Sequence, residues 1–267
     1  MSSHFDVLGT AGLAVLSLMV AVWLLSLALK NASIVDIFWG LGFVLVAWAS
    51  AAVGDGHDGR STLLLILVSV WGLRLGGYLL WRNWGEPEDF RYQSMRRRQG
   101  AGFPLKSLFT VFGLQGVVMF VVSLPVQLAM TPESPKLGVL AILGTALWAV
   151  GMFFEAVGDI QLARFKADPA NAGSVLNTGL WRYTRHPNYF GDFCVWWGIW
   201  LVAAETGDAA FAVVGPILMS IMLMRVSGVP MLERSLRKRR PGYADYVAQT
   251  AAFFPRKPRT PSAGGTS

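Results

Sequence analysis

Seven long apolar runs limit what this chain can become. They cover about Val7–Leu29, Ile34–Val53, Thr62–Trp81, Leu108–Met130, Leu137–Val157, Tyr189–Ala204 and Ala209–Met224. A run of this length crosses hydrocarbon as a helix, because a helix satisfies its own backbone hydrogen bonds. None alternates apolar and polar residues as a membrane barrel strand does. The last two are short, and are expected to begin or end in polar surroundings lined by protein. The expected fold is all-α, a polytopic membrane protein with seven transmembrane helices. Composition agrees: 54% of the 267 residues are hydrophobic and only 15% charged, too few charges for an ordinary soluble surface.

Orientation follows from the loops. One set carries Lys30, Arg82, Arg91, Arg96, Arg97, Arg98, Lys106, Arg164, Lys166, Arg182, Arg185 and the basic segment from Arg225 to Arg259. The other set carries only Arg60 and Lys136. The positive-inside rule then places the N-terminus outside and the C-terminus in the cytoplasm. The outer connections are short, so function is expected on the cytoplasmic side. A net charge of +7 would suggest nucleic acid in a soluble protein. Here the basic residues lie between apolar runs, so topology accounts for most of them and no nucleic-acid partner is expected.

Several chemistries are excluded early. Cys194 is the lone cysteine, which rules out an intrachain disulfide and a cysteine metal site. His4, His57 and His186 have no metal-ligand spacing, so no metal is expected. No basic segment precedes the first run, so a cleavable signal peptide is not expected. No internal repeat is visible, which argues against a transporter built from inverted repeats. Residues 1–255 read as one transmembrane domain. Within it, Met231–Arg240 reads as an interfacial helix, followed by a Pro241-Gly242 turn and a second short helix. Residues 256–267, rich in Pro, Ser, Gly and Thr, read as a disordered tail.

The chemistry is carried by polar residues at the span ends. Gly179-Leu-Trp-Arg-Tyr-Thr-Arg-His-Pro-Asn-Tyr-Phe-Gly-Asp192 crowds Arg182, Arg185, His186, Asn188 and Asp192 at the mouth of the sixth run. A topology signal needs only Lys and Arg, so the amide and the acid point to a ligand. Asp36 lies near the start of the second run, with Ser33 as the expected N-cap. Glu155 and Asp159 are four apart and share a helix face, as do Arg74 and Tyr78 on the third run. Arg74 lies too deep to snorkel easily and is expected to pair with a buried acid. Glu233 follows the seventh run. The cytoplasmic loops supply Arg82, Arg91, Arg164, Lys166, Arg182, Arg185 and Arg225, a set suited to a polyanion because guanidinium groups bind phosphate through paired hydrogen bonds. Asp159, Asn188 and Asp192 can hold sugar hydroxyls or a carboxamide. No G-x-G-x-x-G follows a strand and no Walker loop is present, so a phosphorylated nucleotide would bind outside a Rossmann fold.

Asn31-x-Ser-x-Val-Asp-x-x-Trp-Gly40, Glu88-Asp-Phe-Arg-Tyr92 and the Gly179–Asp192 segment together resemble the bacterial branch of the steroid 5α-reductase family. The resemblance spans nearly the whole chain. The third segment is shared in part with isoprenylcysteine carboxyl methyltransferases, which also carry Arg-His-Pro before a span; the first two segments favour the reductase. The resemblance implies a seven-helix fold, NADPH held from the cytoplasm and a lipophilic enone, such as a 3-oxo-Δ4 steroid, entering from the bilayer. It implies a location in the inner membrane of a bacterial cell. It places Asp159, Asn188 and Arg225 on cofactor-binding positions, and Lys166 where the family has an arginine. Arg82, Arg91, Arg164, Arg182, Arg185, His186, Asp192 and Glu233 complete the expected cofactor set. Asp36 stands where the family carries a Gln-Glu pair, with Val35 in place of the Gln. Arg74 and Tyr78 fall on the family's substrate site, and Trp71 replaces one of its tyrosines. Asp36, Tyr78 and Arg74 are therefore the expected catalytic residues. The competing expectation is a membrane methyltransferase using S-adenosylmethionine. A transporter or lipid-binding membrane protein is a third.

Overall fold

Sheets are excluded by the sequence pattern, and the computed structural model is all-α among its described residues, which are 4–54, 59–130, 137–226, 229, 233, 236 and 240–259. Six helical stretches are long and apolar enough to cross a membrane: His4–Leu29 (α1), Ile34–Val53 (α2), Gly59–Asn83 (α3), Phe90–Val122, Val139–Ala167 and Gly207–Val226. The sixth apolar run forms a helix of 17 residues, Pro187–Ala203. At about 1.5 Å per residue that is roughly 25 Å of helix, short of the ~30 Å hydrocarbon layer. Several expectations fall outside the described residues: the connection Thr131–Lys136, His57, most of Met231–Arg240 and residues 260–267 of the tail.

The chain divides into two compact units, Met1–Thr145 with Ile199–Gly215, and Ala146–Gly198 with Pro216–Ser267. In the first unit, α1 packs on α2 and α2 on α3. The helix α1 is apolar all round, yet only one stripe is covered: Val7, Ala11, Val15, Met19, Val22 and Ser26, spaced by three or four residues. Leu13, Leu16 and Leu24 on its other side are 54–66% exposed, as a lipid-facing surface requires. Between α2 and α3 the contact is backbone to backbone. A Cβ on Gly40 would lie 2.6 Å from the Gly72 carbonyl oxygen, so both positions need glycine. Phe43 and Trp71 then meet edge to face at 5.4 Å beside this crossing.

Phe90–Val122 is not a uniform helix. Phe90–Gln99 (α4) ends at Gly100, Phe103–Ser107 (α5) follows, and Leu108–Gly113 forms a π-helical turn before Leu114–Val122 (α6). Gly100, at φ +55°, reverses the chain where a side chain would be strained. Leu124–Leu128 (α7) closes this stretch.

Arg60, assigned above to an outer loop, is one of the most buried side chains of the first unit. Only 1% exposed, it donates from Nη2 to Glu205 Oε2 at 2.6 Å. Glu205 also accepts from the backbone N–H groups of Gly138 at 3.0 Å and Leu140 at 2.8 Å, at the start of Val139–Ala167 (α8). Burial pushes this carboxyl up, but those donors and the Arg60 charge outweigh it and hold the pKa below the usual range. One carboxylate thus caps a helix and neutralises an arginine.

In the second unit, α8 and Pro187–Ala203 (α9) approach through Gly151 and Gly191. A Cβ on either would lie 2.5 Å from the other's carbonyl oxygen. Two turns further along, a Cβ on Gly158 would lie 3.2 Å from Pro187 Cγ, so glycine there lets Pro187 sit close against α8. This crossing sets the depth at which the polar ends of both helices face each other.

Candidate active site

Two of the three family-like segments converge in the first unit. Asp36, in the first turn of α2, accepts from Arg91 Nη2 through Oδ2 at 2.7 Å. Its other oxygen, Oδ1, accepts from the Tyr92 hydroxyl at 2.9 Å. Gln115 Nε2 donates to that hydroxyl at 3.3 Å, extending the chain onto α6. Arg91 is held from behind by Asp89, which accepts from its Nε at 2.9 Å. Glu88 fixes the segment in place: it accepts from the Ala32 backbone at 2.7 Å and forms a two-pronged pair with Arg96 at 2.8 and 3.1 Å. Asp36 and Arg91 keep 22% and 34% side-chain exposure, while Tyr92 is buried. The result is an acid, a phenol and a guanidinium in one hydrogen-bonded row, open on one side.

Ser33 does precede α2, but its side chain makes no capping bond. Its hydroxyl donates to Asn31 Oδ1 at 2.8 Å and accepts from the Asp89 backbone at 2.7 Å. The Asn-x-Ser pattern therefore joins the segment before α2 to the one before α4.

The guanidinium on Asp36 is that of Arg91. Arg74 lies over the Tyr78 ring at 5.4 Å, and Arg82 approaches the same ring at 5.7 Å. Arg91 was grouped above with the phosphate-binding cations; here its Nε donates to Asp89 and its Nη2 to Asp36. Tyr92 and Gln115 were not singled out. The signal for Tyr92 was its place in the Glu88–Tyr92 segment, which by itself names no partner.

The third segment lies in the second unit with ten of the twelve expected cofactor residues. Gly179, at φ +58°, opens it; a Cβ there would meet the Gln161 side chain at 2.5 Å. Gln161 accepts from the Leu180 backbone, and Trp181 Nε1 donates to the Gly158 carbonyl at 3.1 Å, so the segment is tied along α8. Asn188 Nδ2 donates to Asp159 Oδ1 at 3.2 Å, joining the ends of α8 and α9. Glu155, one turn before Asp159, is buried with it. Asp192 is half-buried one turn into α9.

Arg185 and His186 face the C-terminal segment. Arg185 Nε donates to Glu233 Oε1 at 2.7 Å, and its Nη1 donates to the carbonyls of Val247 at 3.2 Å and Thr250 at 2.5 Å. His186 Nε2 lies 3.3 Å from the same Glu233 oxygen, and its ring stacks on Tyr189 at 5.5 Å. Burial pushes the Glu233 carboxyl up, but the hydrogen bonds from His186 and Arg185 outweigh it and hold the pKa at about 2. His186 goes the other way: burial lowers its pKa more than Glu233 raises it, which favours the neutral ring. Beside this cluster, Thr184 pairs with Ala251 and donates to the Phe253 carbonyl at 2.6 Å. The expected tail begins hydrogen-bonded: Arg256 N–H donates to the Tyr183 carbonyl and Arg259 N–H to that of Gln249.

The remaining cations differ in kind. Arg164, Arg182 and Arg225 are exposed, and among the described residues their guanidinium groups have no protein partner. Lys166 is exposed at the end of α8, and Arg225 lies in a π-helical turn, Met222–Val226. Exposed guanidinium groups together with the Asn188–Asp159 pair fit a phosphorylated ligand that also carries hydroxyl or amide groups. No group of three or more metal-binding side chains occurs among the described residues.

Comparison with known proteins decides the family. Residues 22–250 match the family described as a protein of unknown function, DUF1295. The chain belongs to DUF1295. That family is steroid 5α-reductase-like, and the match takes in every candidate residue from Asp36 to Glu233. An uncharacterized protein of the fission yeast Schizosaccharomyces pombe is 23% identical over 265 residues, covering 88% of this chain and 76% of its own. No solved structure matches.

Proposed function

We propose that this DUF1295 protein is a multi-pass membrane reductase that saturates the C=C bond of a lipophilic enone, such as a 3-oxo-Δ4 steroid, using NADPH. The observation that carries this reading is the union of Asn31–Asp36 with Glu88–Tyr92 around one acid, one phenol and one guanidinium. Those two segments are also the ones that separate the reductase resemblance from the methyltransferase one. The reading includes seven spans, with α9 as the short sixth, the N-terminus outside and the C-terminus cytoplasmic. In a bacterial cell the protein would sit in the inner membrane.

When bound, NADPH supplies a hydride to the β-carbon of the enone. The chain's own residues act at the other end of the conjugated system. Negative charge grows on the carbonyl oxygen as the bond saturates, and donors already aimed at that oxygen lower the barrier. Tyr92 is the nearest such donor. Its hydroxyl accepts from Gln115 and gives its one proton to Asp36, so it would donate to an entering carbonyl by turning that proton from Asp36 to the carbonyl oxygen while still accepting from Gln115. Arg91 fixes the Asp36 carboxylate and adds positive charge. Arg74 and Tyr78 line α3 as further substrate contacts. In the second unit, Asn188 and Asp159 hold the polar part of the cofactor, and Arg164, Lys166, Arg182 and Arg225 its phosphates.

The test is single-turnover NADPH oxidation with a 3-oxo-Δ4 steroid, after titration with NADPH and with S-adenosylmethionine. Asp36→Asn and Tyr92→Phe are each expected to slow reduction on the order of a hundredfold while NADPH still binds. The double variant should lose less than the product of the two, because both groups serve one oxygen. Wild-type rates in both single variants would remove the row from the chemistry. Binding of S-adenosylmethionine without NADPH would replace the reductase by the methyltransferase.

A further inference from the structure

A cleft of about 700 Å³ opens entirely within the second unit, between Ser174–Arg182 and the C-terminal segment. Its volume is in the range of small-ligand sites. One wall carries Asn177 and Arg182. The rest of the lining comes from the Pro241-Gly242 turn, the helix Tyr243–Gln249 (α10) and the strap ending at Arg259. Gly242, at φ +79°, makes the turn that starts this helix, so the wall's direction is set by local backbone geometry. The Tyr246 hydroxyl donates to the Trp181 carbonyl, and the Arg259 N–H to the Gln249 carbonyl at 2.9 Å. Both walls are therefore fastened.

The lining has a particular chemistry. Arg182 and Arg259 both line the cleft, and among the described residues neither guanidinium has a protein partner. Two such groups in one cleft suit a phosphate, which accepts several charge-assisted hydrogen bonds. Asp245 lies in the same cleft without a salt-bridge partner among the described residues. Its carboxylate disfavours a bare anion and favours a ligand whose phosphate stands beside a hydroxyl or amino group. Asn177 and Gln249 add amides that can donate and accept.

We infer that this cleft binds the phosphorylated ribose of a nucleotide, with Arg182 and Arg259 clamping the phosphate and Asp245 accepting from a ribose hydroxyl or base amino group. The inference rests on the proposed use of NADPH and assigns to this cleft the end of the cofactor remote from the reacting carbon. Arg259 lies beyond the segment matched by the family, so the clamp takes one arm from inside that segment and one from outside it.

The experiment needs no turnover. The full chain in neutral phosphatidylcholine nanodiscs is titrated with adenosine 2′,5′-bisphosphate, NADP+, NAD+ and glycerol 3-phosphate. Wild type is expected to bind the bisphosphate and NADP+ well, and NAD+ and glycerol 3-phosphate poorly. Arg182→Ala and Arg259→Ala should each weaken the bisphosphate about ten- to a hundredfold, with Arg182→Lys and Arg259→Lys recovering part of the loss. Both arginines are exposed, so these variants open no core cavity, and an unchanged thermal midpoint checks folding. Tight NADP+ binding that survives in Arg182→Ala/Arg259→Ala would overturn the cleft assignment and leave the cofactor reading standing. Failure of wild type to bind either NADP+ or the bisphosphate would overturn both. Glycerol 3-phosphate binding as tightly as the bisphosphate, and equally sensitive to the arginines, would reassign the cleft to a lipid headgroup.

Discussion

Replacing Glu233 by Gln tests what the Arg185–His186 pair is for. Arg185 is only 8% exposed, and Glu233 carries the charge that neutralises it. Glu233→Gln keeps the shape and removes that charge, leaving a buried guanidinium against a neutral acceptor and two carbonyls. Removing one member of a buried pair costs on the order of 3 kcal/mol. The displaced Glu233 pKa gives a second measure: from 4.5 to about 2, at roughly 1.4 kcal/mol per pH unit, it corresponds to about 3 kcal/mol. Solvent screening at a partly open pair reduces that to about 1–2 kcal/mol. The expected fall in thermal midpoint is therefore about 2–8 °C near neutral pH. Because the folded carboxyl is depressed, its contribution is present above pH 4.5 and is lost as pH falls from 4.5 toward 2. His186 is also depressed, so the unfolded chain takes up its proton first, and stability already declines as pH falls below about 6.5. Glu233 raises the His186 pKa, so in Glu233→Gln the ring is depressed further and the variant declines at least as steeply below about pH 6.5. The gap between their midpoints should be present at pH 7, be no smaller near pH 5, and narrow as pH falls from 4.5 toward 3. Tryptophan fluorescence melts across that range, in detergent and without cofactor, make the measurement. Equal midpoints at pH 7, or a gap that does not narrow in acid, would refute the account. A companion variant, Arg185→Ala, that melts like wild type but binds NADPH weakly would return Arg185 to the phosphate.

Two further substitutions probe the scaffold. Gly191→Ala places a methyl 2.5 Å from the Gly151 carbonyl oxygen and 2.6 Å from the Glu155 nitrogen, so α8 and α9 must part; a loss of about 1–3 kcal/mol in the melt is expected, whereas Gly9→Ala, with nothing within 4 Å, should be neutral or slightly stabilising. Glu205→Gln strips the charge facing Arg60 while keeping an acceptor for the α8 N-terminus; a midpoint lowered on the order of 5 °C is expected, and an unchanged one would mean that water reaches Arg60.

The membrane helices were legible because their signal is length and uniform apolarity, which need no partner to interpret. Helix α2 begins and ends where its apolar run does, at Ile34 and Val53. Ends are harder to read where polar residues continue a helix: α8 runs to Ala167, well past Val157, carrying Glu155, Asp159 and Arg164 along its length. The lining of that helix was readable as a shared face for Glu155 and Asp159, because a four-residue spacing is a local property. The loop count gave no hint of Arg60's partner, since a charge count cannot tell an arginine at a loop end from one folded inward onto Glu205, 145 residues away.

Partner choice is the part of the site that sequence does not encode locally. Asp36 stands out in the sequence as an acid near the start of a span, and α3 offers Arg74 as a deep cation. The structure brings a different arginine, Arg91, and with it Tyr92. What decides between them is the backbone at Asn31, Ser33, Glu88 and Asp89, whose mutual hydrogen bonds lock the start of α2 to the start of α4. Each of these residues is unremarkable alone. Asn and Ser favour turns, and Asp89 caps α4 by accepting from the Arg91 backbone at 2.9 Å. Only their combination over more than fifty residues of separation gives Asp36 its guanidinium and its phenol. The same reasoning distinguishes the two kinds of arginine in the second unit. Arg185 is bound to three acceptors of its own chain, while Arg182, three residues earlier, faces an open cleft. A ligand that binds by charge should therefore be sought at the arginine that folding has left without a partner.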